Sequence, residues 1–417
     1  MAEILIVGKG GFGDVLPLLA IGRELRRRGH QVAVAGEAHH AQACALADLP
    51  LHPLALAPQA AARRGVAWTA SGRALRDTLS PASLRAEVDA LLPLAARADL
   101  LLGNQLAYAG SLVRRALRKP WVFCAASPLA IPSRHDAPLW PYLHGLQQLA
   151  GRVGLPQRWF IAPARGATRG LMLAHALPRR ALGLGSPGHP RFEAMYSERL
   201  NLLATSQWLA PPQPDWPRAT RVTGFAWFAP QFLGDARQAQ ALAEFAQQGS
   251  PPVVFAPGGS LRGHPQEFLA RAVAVCRHLG RRGIVVAAPR FHDALPTGAD
   301  IAVTSYLPYE QLFPLAAAVV HSGGIGSIGW AMRAAVPQLL VPAEWDQFDN
   351  ARRAQRAGVA HTLTARQADA RAMAHALGEV LDDAALHRRA AQAACAMQTE
   401  DGAMAACSAI EALLAGT

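Results

Sequence analysis

VVHSGGIGSIGWAMRAAVPQLLVPAEWDQFDNARRAQRAG, residues 319–358, is the stretch that decides how this chain folds. Its β-branched opening, within the strand expected at 317–324, reads as buried on both faces and delivers His321 to its carboxyl end. Gly323, Gly324 and Gly326 then let the backbone turn tightly, and a helix is expected from near Ser327. A second apolar run, PQLLVPA at 337–343, delivers Glu344 to Asn350 to its carboxyl end. Strand, glycine turn, helix, strand is the pattern of a βαβ unit. The free amides and positive dipole at the start of its helix form a place for a diphosphate. Ser322 and Ser327 add hydroxyl donors and His321 an imidazole donor, while Asp346 beside Gln347 offers a carboxylate and an amide that can grip vicinal hydroxyls of a sugar.

The same alternation extends outward in both directions. Strands are expected at 252–258, 283–289, 301–308 and 359–363 in this half, and at 4–8, 32–36, 100–104, 121–127 and 201–206 in the other. A chain of 417 residues is long for one hydrophobic core, which favours two domains of about 200 residues each. The proline- and tryptophan-broken stretch at 211–235 reads as a linker with one short strand inside it, separating an N-terminal domain at 1–210 from a C-terminal one at 236–383. An alanine-rich helical segment follows at 384–417. Ligands of parallel sheets bind at the carboxyl ends of the strands, so two such domains are expected to face each other across a cleft that holds the site.

Hydrophobic residues at 51% and charged ones at 17% exclude disorder, and no apolar run reaches the roughly 20 residues of a membrane-spanning helix. MAEILIVGKGG reads as a first strand and not as a signal peptide, so a cytoplasmic protein is expected. The five cysteines are scattered and form no Cys-x-x-Cys pair, which fits reduced thiols. The net charge of +12 lacks any nucleic-acid-binding motif beside it. Between Asp136 and Glu193 there is no acidic residue, and seven arginines lie among apolar neighbours. Residues 137–192 are therefore either a solvated arginine-rich face or a place of peripheral contact with a membrane surface.

In the first half, Gly8-Lys9-Gly10-Gly11-Phe12-Gly13 matches the dinucleotide fingerprint Gly-x-Gly-x-x-Gly, with Glu37 where a ribose-binding acid would sit. On its own this half reads as an NAD-dependent oxidoreductase. Asp14 opposes that reading, because a carboxylate near the helix start repels a bound pyrophosphate. It is either a general base or a cap of the first helix, which is expected to start near Val15 and to end at the glycine cap after Arg28. His39-His40 reads as a pair of surface histidines. Trp140 and Tyr142 either line an apolar pocket or fill the core.

Taken together, His321-Ser322-Gly323-Gly324-Ile325-Gly326-Ser327, Ala335-Val336-Pro337-Gln338 and Asp346-Gln347-Phe348-Asp349-Asn350 resemble the nucleotide-diphosphate-binding signature of the GT-B glycosyltransferases. The resemblance is strongest to the bacterial branch with rhamnolipid rhamnosyltransferases, and it extends to the macrolide and plant enzymes. It spans nearly the whole chain. It implies an α/β fold of two Rossmann-like domains facing a cleft, with a C-terminal helix returning to the N-terminal domain. It also implies an inverting transfer from a UDP- or dTDP-sugar to a hydrophobic or lipid-like acceptor, with no metal and no further cofactor. Asp14, in Gly13-Asp14-Val15-Leu16-Pro17, becomes the catalytic base. Ser260, His321, Ser322, Gly323, Gly324, Gly326 and Ser327 hold the diphosphate, Tyr306 and Leu307 the base, and Asp346 and Gln347 the donor sugar; Phe12, Trp140 and Tyr142 are acceptor candidates. Two positions depart from the family pattern. Ser322 replaces a second histidine, and Trp330 stands where many relatives place the acid that holds the ribose 2'-hydroxyl, which favours dTDP over UDP. A non-catalytic helper of the same fold and a sugar-nucleotide epimerase are the remaining alternatives.

Overall fold

The computed structural model describes residues 1–54, 80–186, 188–229, 236–258, 265–295, 297–305 and 307–416. It divides into two compact units, Met1–Phe228 with Asp401–Thr417, and Ala229–Glu400.

The first unit is built on a seven-stranded sheet: β1 (Glu3–Gly8), β2 (Gln31–Gly36), β3 (Leu51–Pro53), β4 (Leu100–Gly103), β5 (Trp121–Ala125), β6 (Asn201–Leu203) and β7 (Thr220–Val222). The strands pair in the order β3-β2-β1-β4-β5-β6-β7, and every pairing is parallel. The second unit carries β8 (Val253–Ala256), β9 (Gly283–Val286), β10 (Ile301–Thr304), β11 (Ala318–His321), β12 (Gln338–Leu340) and β13 (Ala360–Thr362) in the order β10-β9-β8-β11-β12-β13, again all parallel. Both sheets follow the doubly wound order 3-2-1-4-5-6, which reverses direction beside its first strand. In the second sheet Val253, Phe255, Ala318 and Val320 join one core, whereas Val254, Ala256 and Val319 join another. Strands so sandwiched have no solvated face, which is why they read as unbroken apolar runs.

Four sequence expectations change. Helix α1 spans Phe12–Arg27, beginning before Val15. Strand β3, LHP, is too short and too polar to announce itself; it forms because Val34 and Gly36 offer it an edge. Residues 211–228, read as linker, belong to the first unit and supply its edge strand β7. The 384–417 segment divides: the Ala384–Met397 helix stays with the second unit, and only the Gly402–Ala415 helix belongs to the first. There it packs on α1. Glu411 pairs with Arg28 at 2.7 Å, and the Cys407 thiol donates to the Ile21 carbonyl at 3.4 Å. A Cβ at Gly402 would lie 2.2 Å from the Gly224 carbonyl oxygen, so this helix can enter only through glycine.

Candidate functional site

Each sheet gathers polar residues at its point of reversal. In the first unit that point lies between the ends of β1 and β4. Gly10 adopts φ +104, and α1 begins two residues later. Asp14 lies in the first turn of α1, and its Oδ2 accepts from the Gly11 amide at 3.0 Å, so the carboxylate folds back over the turn. A Cβ at Gly10 would meet that oxygen at 2.5 Å. Its Oδ1 accepts from Gln105 Nε2 at 2.6 Å. Asn104, buried at the end of β4, donates through Nδ2 to the Lys9 carbonyl at 2.7 Å and to the Asp14 carbonyl at 3.2 Å, tying the two loops together. Asp14 thus caps its helix while remaining half-exposed.

This geometry disfavours a dinucleotide at the same turn. The Gly11 amide, which a pyrophosphate would need, already serves Asp14. The third glycine of a dinucleotide site brings helix and sheet close together, yet a Cβ at Gly13 would meet none of the described residues within 4 Å. Glu37 is buried, with His39 Nδ1 at 3.3 Å from its Oε2. The histidine pair is not wholly on the surface: His40 is buried and its Nε2 donates to the Gly10 carbonyl at 3.0 Å, because the end of β2 lies against the β1 turn. Phe12 packs T-shaped against both imidazoles, each at a centroid separation of 5.9 Å.

The second unit repeats the arrangement between β8 and β11. Gly323 takes φ +85, and Gly324 is the N-cap of the Ile325–Arg333 helix, which no side chain caps. The first-turn residues Gly326 and Ser327 are half-exposed, and a Cβ at Gly326 would meet none of the described residues within 4 Å. Among the described residues, this helix start is left without a side-chain cap, its amides and dipole available to an anion. Gly258, at φ +67, brings the end of β8 beside the Ser322 hydroxyl, 3.4 Å from where its Cβ would lie. Asn350 Nδ2 donates to the Gly323 carbonyl at 3.2 Å and to Asp346 Oδ2 at 2.9 Å, fastening the glycine turn to the β12 loop. Gln347 is buried, and its Oε1 accepts from the Ala343 and Glu344 amides at 3.0 and 3.1 Å. Between them Trp345 holds φ 52, a strained value for a bulky side chain. Burial pushes the Glu344 carboxyl above its ordinary range, a hydrogen bond from Trp345 opposes this, and the Asp346 charge adds to it.

His321 does not do what its position suggested. It is 1% exposed, its Nε2 donates to Gln338 Oε1 at 2.9 Å, and its Nδ1 accepts from the Gly323 amide at 3.1 Å. Both ring nitrogens are spent inside the fold, so it shapes the turn and offers no donor to a diphosphate. Burial lowers its pKa to about 4 despite the opposing bond to Gln338, leaving a neutral ring protonated on Nε2.

Leu307 puts its side chain into the core with Leu312 and Phe313, so that side chain is not open to a nucleobase. Trp140 is 0% exposed and packs with Leu129, Ala164 and Phe192; it is core and not pocket lining. Tyr142 is 43% exposed, with its hydroxyl donating to the Ala164 carbonyl at 3.2 Å. Trp330 is half-buried, under Arg333 at 5.6 Å. Ser260 and Tyr306 lie outside the described residues. The residues that sequence reasoning missed are Gln105, Asn104 and the structural part of Gln338. The first two stand directly after a strand end beside the reversal point, and that position was the available signal.

The second half matches the family model described as erythromycin biosynthesis protein CIII-like, C-terminal domain, over residues 283–412. The O-mycaminosyltylonolide 6-deoxyallosyltransferase of Streptomyces fradiae is 35% identical over 226 residues, which is 54% of this chain and 50% of that protein. The zeaxanthin glucosyltransferase of Pseudescherichia vulneris is 25% identical over 100% of this chain and 99% of its own. Among solved structures, the glycotransferase of kitacinnamycin superposes with a TM-score of 0.72 at 19% identity, covering 98% of each chain. The spinosyn rhamnosyltransferase SpnG, complexed with thymidine diphosphate, gives 0.66 at 19%, covering 97% of this chain and 98% of its own. The chain has the GT-B fold of these solved glycosyltransferases.

Proposed function

We propose that this chain is a glycosyltransferase that moves a sugar, with inversion, from a dTDP- or UDP-linked donor to a hydroxyl of a hydrophobic acceptor. The observation that carries the reading is the open Gly324–Ser327 helix start, fastened through Asn350 to Asp346. Its amides and dipole suit a diphosphate, and Asp346 beside the buried Gln347 suits a pyranose. The acceptor oxygen attacks the anomeric carbon while its proton passes to Asp14. The bond from that carbon to the diphosphate breaks, and the electron pair leaves with the phosphate, where helix amides stabilise the charge. Trp330 in place of a ribose-binding acid favours dTDP, as does the likeness to a protein solved with thymidine diphosphate. The natural-product enzymes among the relatives, and the apolar character of 137–192, support a hydrophobic acceptor.

Thermal-shift measurements with UDP, dTDP, GDP and their sugars test the donor side. A melting rise with dTDP or UDP is expected, and no response to any nucleotide overturns the proposal. Asp14→Asn should reduce transfer by roughly 10²–10⁴-fold with nucleotide binding intact. EDTA should leave activity unchanged, and a strict divalent-cation requirement would count against the scheme.

A further inference from the structure

Seven of the ten large apolar side chains that stand exposed among the described residues fall between Tyr142 and Leu177. Five of them gather on consecutive elements. The His144–Arg152 helix packs against the short Gln157–Phe160 helix, which packs in turn against Ile161–Ala167. On the first of these, the arrangement is inverted. Gln147 is fully buried, with Oε1 accepting from the Trp140 amide at 2.7 Å and Nε2 donating to the Pro138 carbonyl at 2.9 Å. Leu146, Leu149 and Val153 follow at spacings of three and four, so they share a face, and that face is in solvent. Leu155 and Trp159, in the residues that follow, are exposed as well; the five residues are 42–68% exposed. Arg152 and Arg158 are exposed among them, and no acidic residue occurs between Asp136 and Glu193.

A contiguous apolar patch in water promotes self-association, and it is retained where something apolar meets it. Every charged side chain within residues 137–192 is an arginine, the nearest acid pairing being Glu193 with Arg165 at 2.7 Å, which suits a covering that is apolar inside and anionic at its edge. We propose that Leu146, Leu149, Val153, Leu155 and Trp159, with Arg152 and Arg158, dock the protein on an anionic phospholipid surface. The leucines and valine enter the acyl boundary, Trp159 lies at headgroup level, and the guanidinium groups pair with lipid phosphates. Among the described residues no helix is long and apolar enough to cross a membrane, so this is contact from one side. The inference goes beyond the transfer reaction and does not depend on which donor is used.

The test is co-sedimentation of the full chain with vesicles of phosphatidylcholine, with and without about a third phosphatidylglycerol. Binding is expected to the anionic vesicles and to weaken with salt. Arg152→Ala with Arg158→Ala should lower partitioning roughly 30-fold, taking about 1 kcal/mol per cation as about fivefold each. Leu149→Ser with Trp159→Ser should abolish it. Both variants should keep the wild-type melting temperature and nucleotide response, which separates a lost surface from a lost fold. Wild-type protein that stays in the supernatant, variants that bind as well as wild type, or self-association through this face that Leu149→Ser disrupts, would each overturn the proposal.

Discussion

His321 provides a quantitative check on the second unit, because its buried, neutral ring makes stability depend on pH in a calculable way. Its pKa is about 4 in the folded chain, against 6.5 for an unperturbed imidazole, with burial the larger cause and the Gln338 hydrogen bond opposing it. Between these values the unfolded chain binds the proton and the folded one does not, so stability is fully present above about pH 6.5 and falls as pH falls toward 4. At about 1.36 kcal/mol per unit, the loss is roughly 1.4 kcal/mol at pH 5.5 and about 2.5 kcal/mol at pH 4.5. The structural cause is specific: a protonated Nδ1 can no longer accept from the Gly323 amide. Urea unfolding of wild type and His321→Leu at pH 7.5, 5.5 and 4.5 measures this. The variant should be less stable at pH 7.5 by roughly 2–4 kcal/mol, since the Gly323 amide and the Gln338 carbonyl lose their partner. It should also lose less on acidification, by the amounts above. His175, which burial likewise takes to about 4, contributes equally to both proteins and cancels. Equal acid sensitivity of wild type and variant would refute the assignment of a buried, neutral His321.

Gln105→Glu puts a second carboxyl where Gln105 Nε2 now donates to Asp14 at 2.6 Å; two carboxylates so close share a proton, so the acidic limb of the transfer rate should move up by about 1–3 pH units while Gln105→Leu moves it less. Ala335 holds φ 59 at the end of the Ile325–Arg333 helix, where Val336 N–H bonds to the Ala331 carbonyl and Ala335 N–H to that of Met332, a terminus that favours glycine. Ala335→Gly should therefore raise stability by about 0.5–1 kcal/mol, read as an increase in the urea midpoint of the second unit.

Much of the architecture was legible because doubly buried parallel strands write themselves as apolar runs. All six strands of the second sheet fall within the stretches expected for them, and the Gly29 cap of α1 is seen in its φ of +92. A weak strand escaped this signal: β3 has three residues and depends on the neighbouring strand, whereas β7 is the short strand expected within 211–235. The glycine turn was legible too, since Gly323 requires a positive φ that few other residues accept. The roles of His321, Trp140 and Leu307 were not, because a sequence shows which groups a residue carries and not where their hydrogen bonds or surfaces go.

By itself the sequence determined two parallel α/β units, a glycine-rich helix start at the end of β11, and an acid after the turn at the end of β1. Those are local properties, set by periodicity, by backbone freedom and by charge. Tertiary structure alone decided that Gln105 meets Asp14 across 91 residues, that Asn350 fastens the turn to Asp346, and that the buried His321 keeps both nitrogens for Gln338 and Gly323. Such pairings depend on which strand ends the sheet order brings side by side, and that order is fixed by packing the whole unit.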